Sequence, residues 1–129
     1  MSERALKAWP LAGALLAGAL AWAAPAAAGT PSGRDLYKTY CWQCHGSRGN
    51  GKGINAGDNM SVMPRDHTDA KYMAARSDEE LFRAIKEGGP AVNKSVLMPP
   101  WGGALSDEEI HRLVAYLREL CRCRHGAAP

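Results

Sequence analysis

Cys41-Trp42-Gln43-Cys44-His45 sets two thiols three positions apart, with an imidazole directly after the second. In C-x-x-C-H the two cysteines can reach the two vinyl groups of one porphyrin while the histidine offers its ring to the iron. Cys41, Cys44 and His45 are therefore candidate attachment points for one covalent haem c. Three other chemistries use similar residues: a thiol redox pair, half of a zinc site, or a plain disulfide. A redox pair wants a strand before it in a βαβ pattern, and a zinc site wants a second Cys/His pair at finger or ribbon spacing. The residues before Cys41 read as helical, and Cys121 and Cys123 lie far away at a different spacing. Haem attachment is the expectation.

A histidine on one side of the iron leaves a sixth position, and its occupant decides between electron transfer and ligand chemistry. After the attachment sequence the candidates are Met60, Met63, Met73, Met98, His67, His111 and His125. His111 falls on a helix between Glu109 and Arg112 and should face solvent, and His125 sits in a tail of Arg, Gly, Ala and Pro. His67, in a polar loop, is the one serious imidazole competitor. Met98 is preferred: Pro99 and Pro100 fix the backbone just after the sulfur and remove two amide donors, making a stiff loop that can hold a thioether inward. A methionine that only fills a core gap is the alternative, and it is the better reading for Met60, Met63 and Met73. A neutral sulfur opposite imidazole favours Fe(II) over Fe(III), so a fairly high potential follows.

The elements around these residues are expected to be helices and long loops. Gly33 to Tyr40 reads as a helix capped by Ser32, with Leu36 and Tyr40 sharing a face with Gly33. Gly46 to Asn59 carries too many glycines for regular structure. Its Gly-x-Gly-x-Gly run has no strand before it and no Gly-Lys-Ser/Thr opening a helix after it, so close backbone approach to a haem edge explains the glycines better than phosphate binding. A short helix over Asp69 to Ala75, capped by Thr68, is followed by a capping box at Ser77 with Glu80, whose helix stops at Gly88-Gly89-Pro90. A second Ser-Asp-Glu-Glu box at Ser106 opens the last helix. Ile110, Leu113, Val114, Leu117 and Leu120 recur there at spacings of three and four, carrying it to about Leu120. No stretch alternates like a strand, so the fold class is all-α, and loops this long in a small domain have a functional reason.

Tyr40-Cys41-x-x-Cys44-His45-Gly46, Gly49-x-Gly51-Lys52-Gly53, Met98-Pro99-Pro100-Trp101-Gly102 and a closing amphipathic helix together resemble a small class I monohaem cytochrome c. The Met98 segment and the Ser-Asp-Glu-Glu helix before it also resemble single-haem domains attached to bacterial oxidases. The resemblance implies the cytochrome c fold, one haem c, His45 and Met98 as axial ligands, and crossing terminal helices. Gly33, Leu36 and Tyr40 would then meet Leu113, Tyr116 and Leu117. Many members bond the histidine N–H to a proline carbonyl shortly after the haem motif. Here Gly53-Ile54-Asn55 stands where such a proline is common, so the sequence does not name that partner. Arg65, Trp101 and Tyr72 are candidates for contact with the haem face or its propionates.

The chain has 129 residues, enough for one domain. Arg4 and Lys7, an apolar Leu11 to Ala24 and small residues at Ala26-Ala27-Ala28 read as a cleaved export signal over residues 1–28. A retained anchor would need an unbroken run of about twenty apolar residues, and Pro25 interrupts this one. Cleavage is expected after Ala28, with Ala26 the second choice, which leaves residues 29–129 as one haem domain, delivered to the periplasm. Without Glu3, Arg4 and Lys7, fourteen Lys and Arg face twelve Asp and Glu, interspersed as on an ordinary solvated surface. No basic face for nucleic acid is implied. Cys121 and Cys123 could close a strained bridge with each other, link two chains, or bind a metal with His125. C-x-C is a tight spacing for a mutual disulfide, and a C-terminal disulfide or an unreactive pair without function is the expectation, the sequence leaving the pairing open.

These readings converge on a periplasmic monomer that exchanges single electrons with transient donor and acceptor proteins and meets membranes only through membrane-bound partners. Both iron ligands are retained, so it makes and breaks no substrate bond and is no enzyme. Trp42, Gln43 and the glycine loop would border the docking edge, with Lys52 and Lys94 as steering charges. A haem peroxidase or gas-ligand sensor would need a distal acid/base group, for which His67 is the candidate. A haem subunit docked to a larger oxidoreductase is the third possibility.

Overall fold

Three serines open three of the helices. The computed structural model describes residues 29–127, so the export signal expected over residues 1–28 lies outside them. Ser32, Ser77 and Ser106 each hold an extended backbone conformation, and each hydroxyl accepts the amide N–H three residues on, that of Asp35, Glu80 or Glu109. They begin α1 (Gly33–Tyr40), α4 (Asp78–Glu87) and α5 (Asp107–Cys121). The box closes reciprocally at Ser32/Asp35 and Ser106/Glu109. At Ser77 it closes on one side only, because the Glu80 carboxylate turns to Arg76, 3.2 Å away.

Between them lie α2 (Trp42–His45), α3 (Ala70–Ala74) and a single 3-10 turn over Gly89–Val92. The cap of α3 is Asp69, whose carboxylate accepts the Tyr72 N–H at 3.0 Å. Thr68, expected in that role, is tied instead through both its N–H and its hydroxyl to the Asp66 carboxylate. A carboxylate next to the first helical residue outcompetes a hydroxyl one position earlier that already has a partner. Among the described residues there is no named strand, as the sequence predicts, and no helix long and apolar enough to cross a membrane.

The core forms where α1 and α4 lie against α5, with Ile110, Leu113, Val114 and Leu117 of α5 facing Leu36 and Tyr37 of α1 and Leu81 and Ile85 of α4. Gly33 allows the closest approach: a Cβ there would overlap the carbonyl of Arg112 and come within 2.9 Å of the Tyr116 Cβ. The expected crossing of the terminal helices is present, with one change in its contacts. Tyr37, four residues from Gly33, is the aromatic residue that α1 buries (1% exposed), while Tyr40 is half-buried and packs edge-on against Trp101 at 5.3 Å.

The segment after α4 folds back over that helix's C-terminus. Trp101 and Gly102 N–H groups donate to the Ile85 and Lys86 carbonyls at 2.9 and 3.0 Å, and the Gly89 N–H donates to the Met98 carbonyl at 3.0 Å. Carbonyls that a helix end leaves without partners thus fasten the Met98 loop to α4.

Candidate haem site

The turn Cys41–His45 is tied into α1 and α2: the Cys41 N–H donates to the Tyr37 carbonyl at 2.9 Å, and the His45 N–H to the Cys41 carbonyl at 2.9 Å. Both cysteines therefore sit on one helical turn. Their thiols are free, and burial, reinforced by Cys44, pushes the Cys41 thiol up to about 12. A thiol so reluctant to ionise is a poor redox nucleophile, which argues against a thioredoxin-like pair.

His45 is buried, and its Nδ1 donates to the Arg65 carbonyl at 2.9 Å. That bond leaves Nε2 as the ring's free donor atom for a metal. Burial depresses the basicity of His45, with the bond to Arg65 opposing, so the ring stays neutral and its lone pair available. The sequence had left this acceptor unnamed. It comes from twenty residues away, in Pro64-Arg65, which reaches His45 because the glycine loop lets it pass. At Gly51, φ is +72° and a Cβ would meet the Pro64 carbonyl at 2.5 Å. What crowds this glycine is protein backbone, a reason for its presence that sequence alone did not supply.

Cys41, Cys44, His45 and Met98 line one cavity of about 710 Å³, inside the range of about 300 to 1,000 Å³ usual for cofactor sites. Most of its walls are apolar, from Met73, Leu81, Ile85, Leu113 and Leu117 among others. Met60, Met63 and Met73 line it as well, so the fold gathers every methionine the sequence offered after the attachment turn. Met73 belongs to the packed core and is 1% exposed, whereas Met98 is half-buried on the loop fastened to α4.

The imidazole candidates separate cleanly. His67 is buried, but its ring stacks on that of His45, with centroids 4.2 Å apart and planes 19° from parallel. Rings face to face at that distance leave no room for a porphyrin between them, so His67 does not stand opposite His45. His111 is exposed, as expected, and packs on Phe82; His125 is exposed in the tail.

Residues 28–117 match the family model described as cytochrome c oxidase, cbb3-type, subunit III. The chain belongs to this family of class I c-type cytochrome domains. Among solved structures, the cytochrome is similar to one titled KustC0563 c-type cytochrome, at 31% identity and TM-score 0.55 over 70% of this chain and 98% of that one. It is also similar to a Kuenenia stuttgartiensis reducing HAO-like protein complex, Kustc0457/Kustc0458, at 30% identity and TM-score 0.55 over 70% of this chain and 42% of that one. No match was found among curated proteins. A mostly helical haem electron-transfer protein of the c type is what the family and the fold share.

One side of the cavity is basic, as would suit the acidic edge of a haem. Arg65, Tyr72 and Arg76 line one part of the cavity, with the Arg65 and Arg76 guanidinium carbons 3.8 and 4.8 Å from the Tyr72 ring centroid. Arg76 Nε is buried without a hydrogen-bond partner, the state of a donor awaiting an acceptor such as a propionate oxygen. Arg65, Tyr72 and Trp101, named from sequence, all reach the cavity. Arg76 was missed, and its signal was slight: an arginine just before a helix cap.

Cys121 and Cys123 form a disulfide with each other, a pairing the sequence leaves open, and both are buried. Their thiols are thereby unavailable to a metal with His125, and no cluster of three metal-binding side chains occurs among the described residues.

Proposed function

We propose that this chain is a periplasmic monohaem electron carrier whose haem is bound through Cys41 and Cys44 and ligated by His45 and Met98. The observation that carries the reading is the single cavity to which both thiols, the neutral imidazole and the Met98 loop contribute. When bound, the haem supplies a one-electron Fe(III)/Fe(II) couple.

The chain's own residues do the rest. Cys41 and Cys44, on one helical turn, anchor the group in one orientation. His45 presents Nε2 because Nδ1–H is committed to the Arg65 carbonyl. Pro99 and Pro100, with the Gly89 bond to Met98, hold the thioether against drift. Leu81, Ile85, Leu113 and Leu117 exclude water, which limits reorganisation when the iron charge changes. Arg65 and Arg76 line the cavity where they would hold the propionates.

Ile54, Val62, Met63, Val96 and Leu97 are between 50% and 79% exposed, and three of them line the cavity. An apolar rim with Lys52 and Lys94 nearby suits a small, transient contact with an acidic redox partner. Attachment to a larger oxidoreductase is the second reading; it is favoured by the oxidase-subunit family and by the HAO-like complex among the similar structures.

The deciding experiment is the visible spectrum of the oxidised, haem-loaded protein. A weak long-wavelength sulfur-to-iron band in wild type, lost in Met98→Ala and kept in Met60→Ala and Met63→Ala, supports the closed carrier. A five-coordinate high-spin wild type refutes Met98 ligation and points to peroxide or gas chemistry.

A further inference from the structure

An imidazole bound to a metal keeps one freedom, rotation about its metal–nitrogen bond. In His45 the bond from Nδ1 to the Arg65 carbonyl restrains one edge of the ring. His67 supplies the second restraint by lying nearly parallel to it, 4.2 Å away. His67 is itself held at two points: its backbone N–H donates to the Gly49 carbonyl at 2.6 Å, and its Nδ1 is hydrogen-bonded to the Tyr37 hydroxyl at 2.9 Å. Which of the two groups donates follows from the His67 tautomer. Tyr37 in turn is 1% exposed and packs edge-on against Tyr116 of α5, with centroids 5.3 Å apart. A chain of contacts thus runs from the α1–α5 crossing through Tyr37 and His67 to His45.

We infer that His67, oriented by Tyr37, is a positioning residue that fixes the plane of the His45 imidazole and so tunes the iron's electronic structure. The inference rests on the reading of His45 as an iron ligand. Core filling alone does not explain the pair. Burying an imidazole and a phenol carries a desolvation cost that a leucine would avoid, and here the two polar groups satisfy each other. A flat ring parallel to another also restrains rotation in a way that a branched aliphatic side chain does not. Orienting a ligand through a residue beyond it is a recognised way to tune a metal.

The test uses the full, haem-loaded protein in its oxidised state, reading the electron paramagnetic resonance g values and the haem-methyl proton shifts. His67→Leu should change the g anisotropy and the order of the methyl shifts and move the midpoint potential. His67→Phe, which restores a flat ring, should bring the methyl order back toward wild type, and Tyr37→Phe should move it in the direction of His67→Leu but less far. Wild-type g values and methyl shifts in a folded, six-coordinate His67→Leu overturn the inference. So does a His67→Phe protein as altered as His67→Leu. If His67→Leu does not fold, Tyr37→Phe, which removes a single oxygen, decides: an unshifted spectrum overturns the inference and a shifted one supports it. A wild type without a low-spin histidine signal overturns the ligand reading together with this one, whereas a low-spin wild type with an indifferent His67→Leu overturns this one alone.

Discussion

Gly33 lies so close to Arg112 that a Cβ at position 33 would overlap the Arg112 carbonyl. The obstacle is backbone of α5, which no rotamer change can move aside. Replacing glycine by alanine in a helix ordinarily gains about 0.5–1 kcal/mol, but overpacking a tight contact costs about 1–3 kcal/mol. Gly33→Ala should therefore lower the urea midpoint of the haem-loaded protein while leaving its visible spectrum intact. An unchanged or raised midpoint would mean that the crossing is looser than the geometry indicates.

Arg118 offers a contrast between a buried hydrogen-bond hub and an exposed ion pair. Its side chain is 12% exposed and donates to the Met73 and Arg76 carbonyls at 2.7 and 2.6 Å, tying α5 to α3 and to the residue that lines the cavity beside it. The partner Asp78 is 70% exposed. Arg118→Ala, which removes two charge-assisted hydrogen bonds to part-buried backbone carbonyls, should cost about 1–3 kcal/mol; Asp78→Ala should cost under about 1 kcal/mol. Denaturant unfolding of the two variants checks the order, and equal losses would contradict it.

The capping box of α1 sets an acid-side dependence. Hydrogen bonds from the Ser32 hydroxyl and Ser32 N–H hold the Asp35 carboxyl below its ordinary value of 3.8. A depressed carboxylate contributes stability that is present above its unfolded value and disappears as the pH falls through the folded one. Asp35→Asn should melt below wild type at neutral pH, with the difference shrinking as the pH drops below about 4. A difference that grows on acidification would reverse the sign.

The bridge between Cys121 and Cys123 spans a sequence separation of two. The chain-entropy argument grants so short a loop only about 1–2 kcal/mol. The double variant Cys121→Ala/Cys123→Ala should still fold, take up haem at Cys41 and Cys44, and lose no more than that in a thermal melt. Failure to incorporate haem would show that the bridge matters to maturation.

Arg65 acts through two different groups. Its carbonyl receives the His45 N–H, and its guanidinium lies over Tyr72 at 3.8 Å. Arg65→Ala keeps the carbonyl, so the axial spectrum should persist. Losing the cation–π contact should cost about 0.5–1 kcal/mol. Removing a positive charge beside the haem should also lower the midpoint potential, measured by potentiometric titration, and a rise would place the guanidinium away from the haem.

The sequence by itself determined whatever depends on neighbours along the chain. Serine with an acid three residues on marks the starts of α1, α4 and α5, the three-and-four spacing from Ile110 to Leu117 marks the buried face of α5, and the turn proposed for haem attachment is complete within Cys41–His45. Tertiary structure decided everything that joins distant segments: that α1 buries Tyr37 rather than Tyr40, that Arg65 supplies the acceptor for His45, and that His67 stacks beside His45 rather than facing it. A backbone carbonyl looks the same at every position in a sequence. Which one a buried imidazole finds depends on how closely two loops pass, and here on the absence of a side chain at Gly51. Local patterns reflect short-range hydrogen bonds and periodicity, whereas the surroundings of His45 depend on packing between segments twenty or more residues apart.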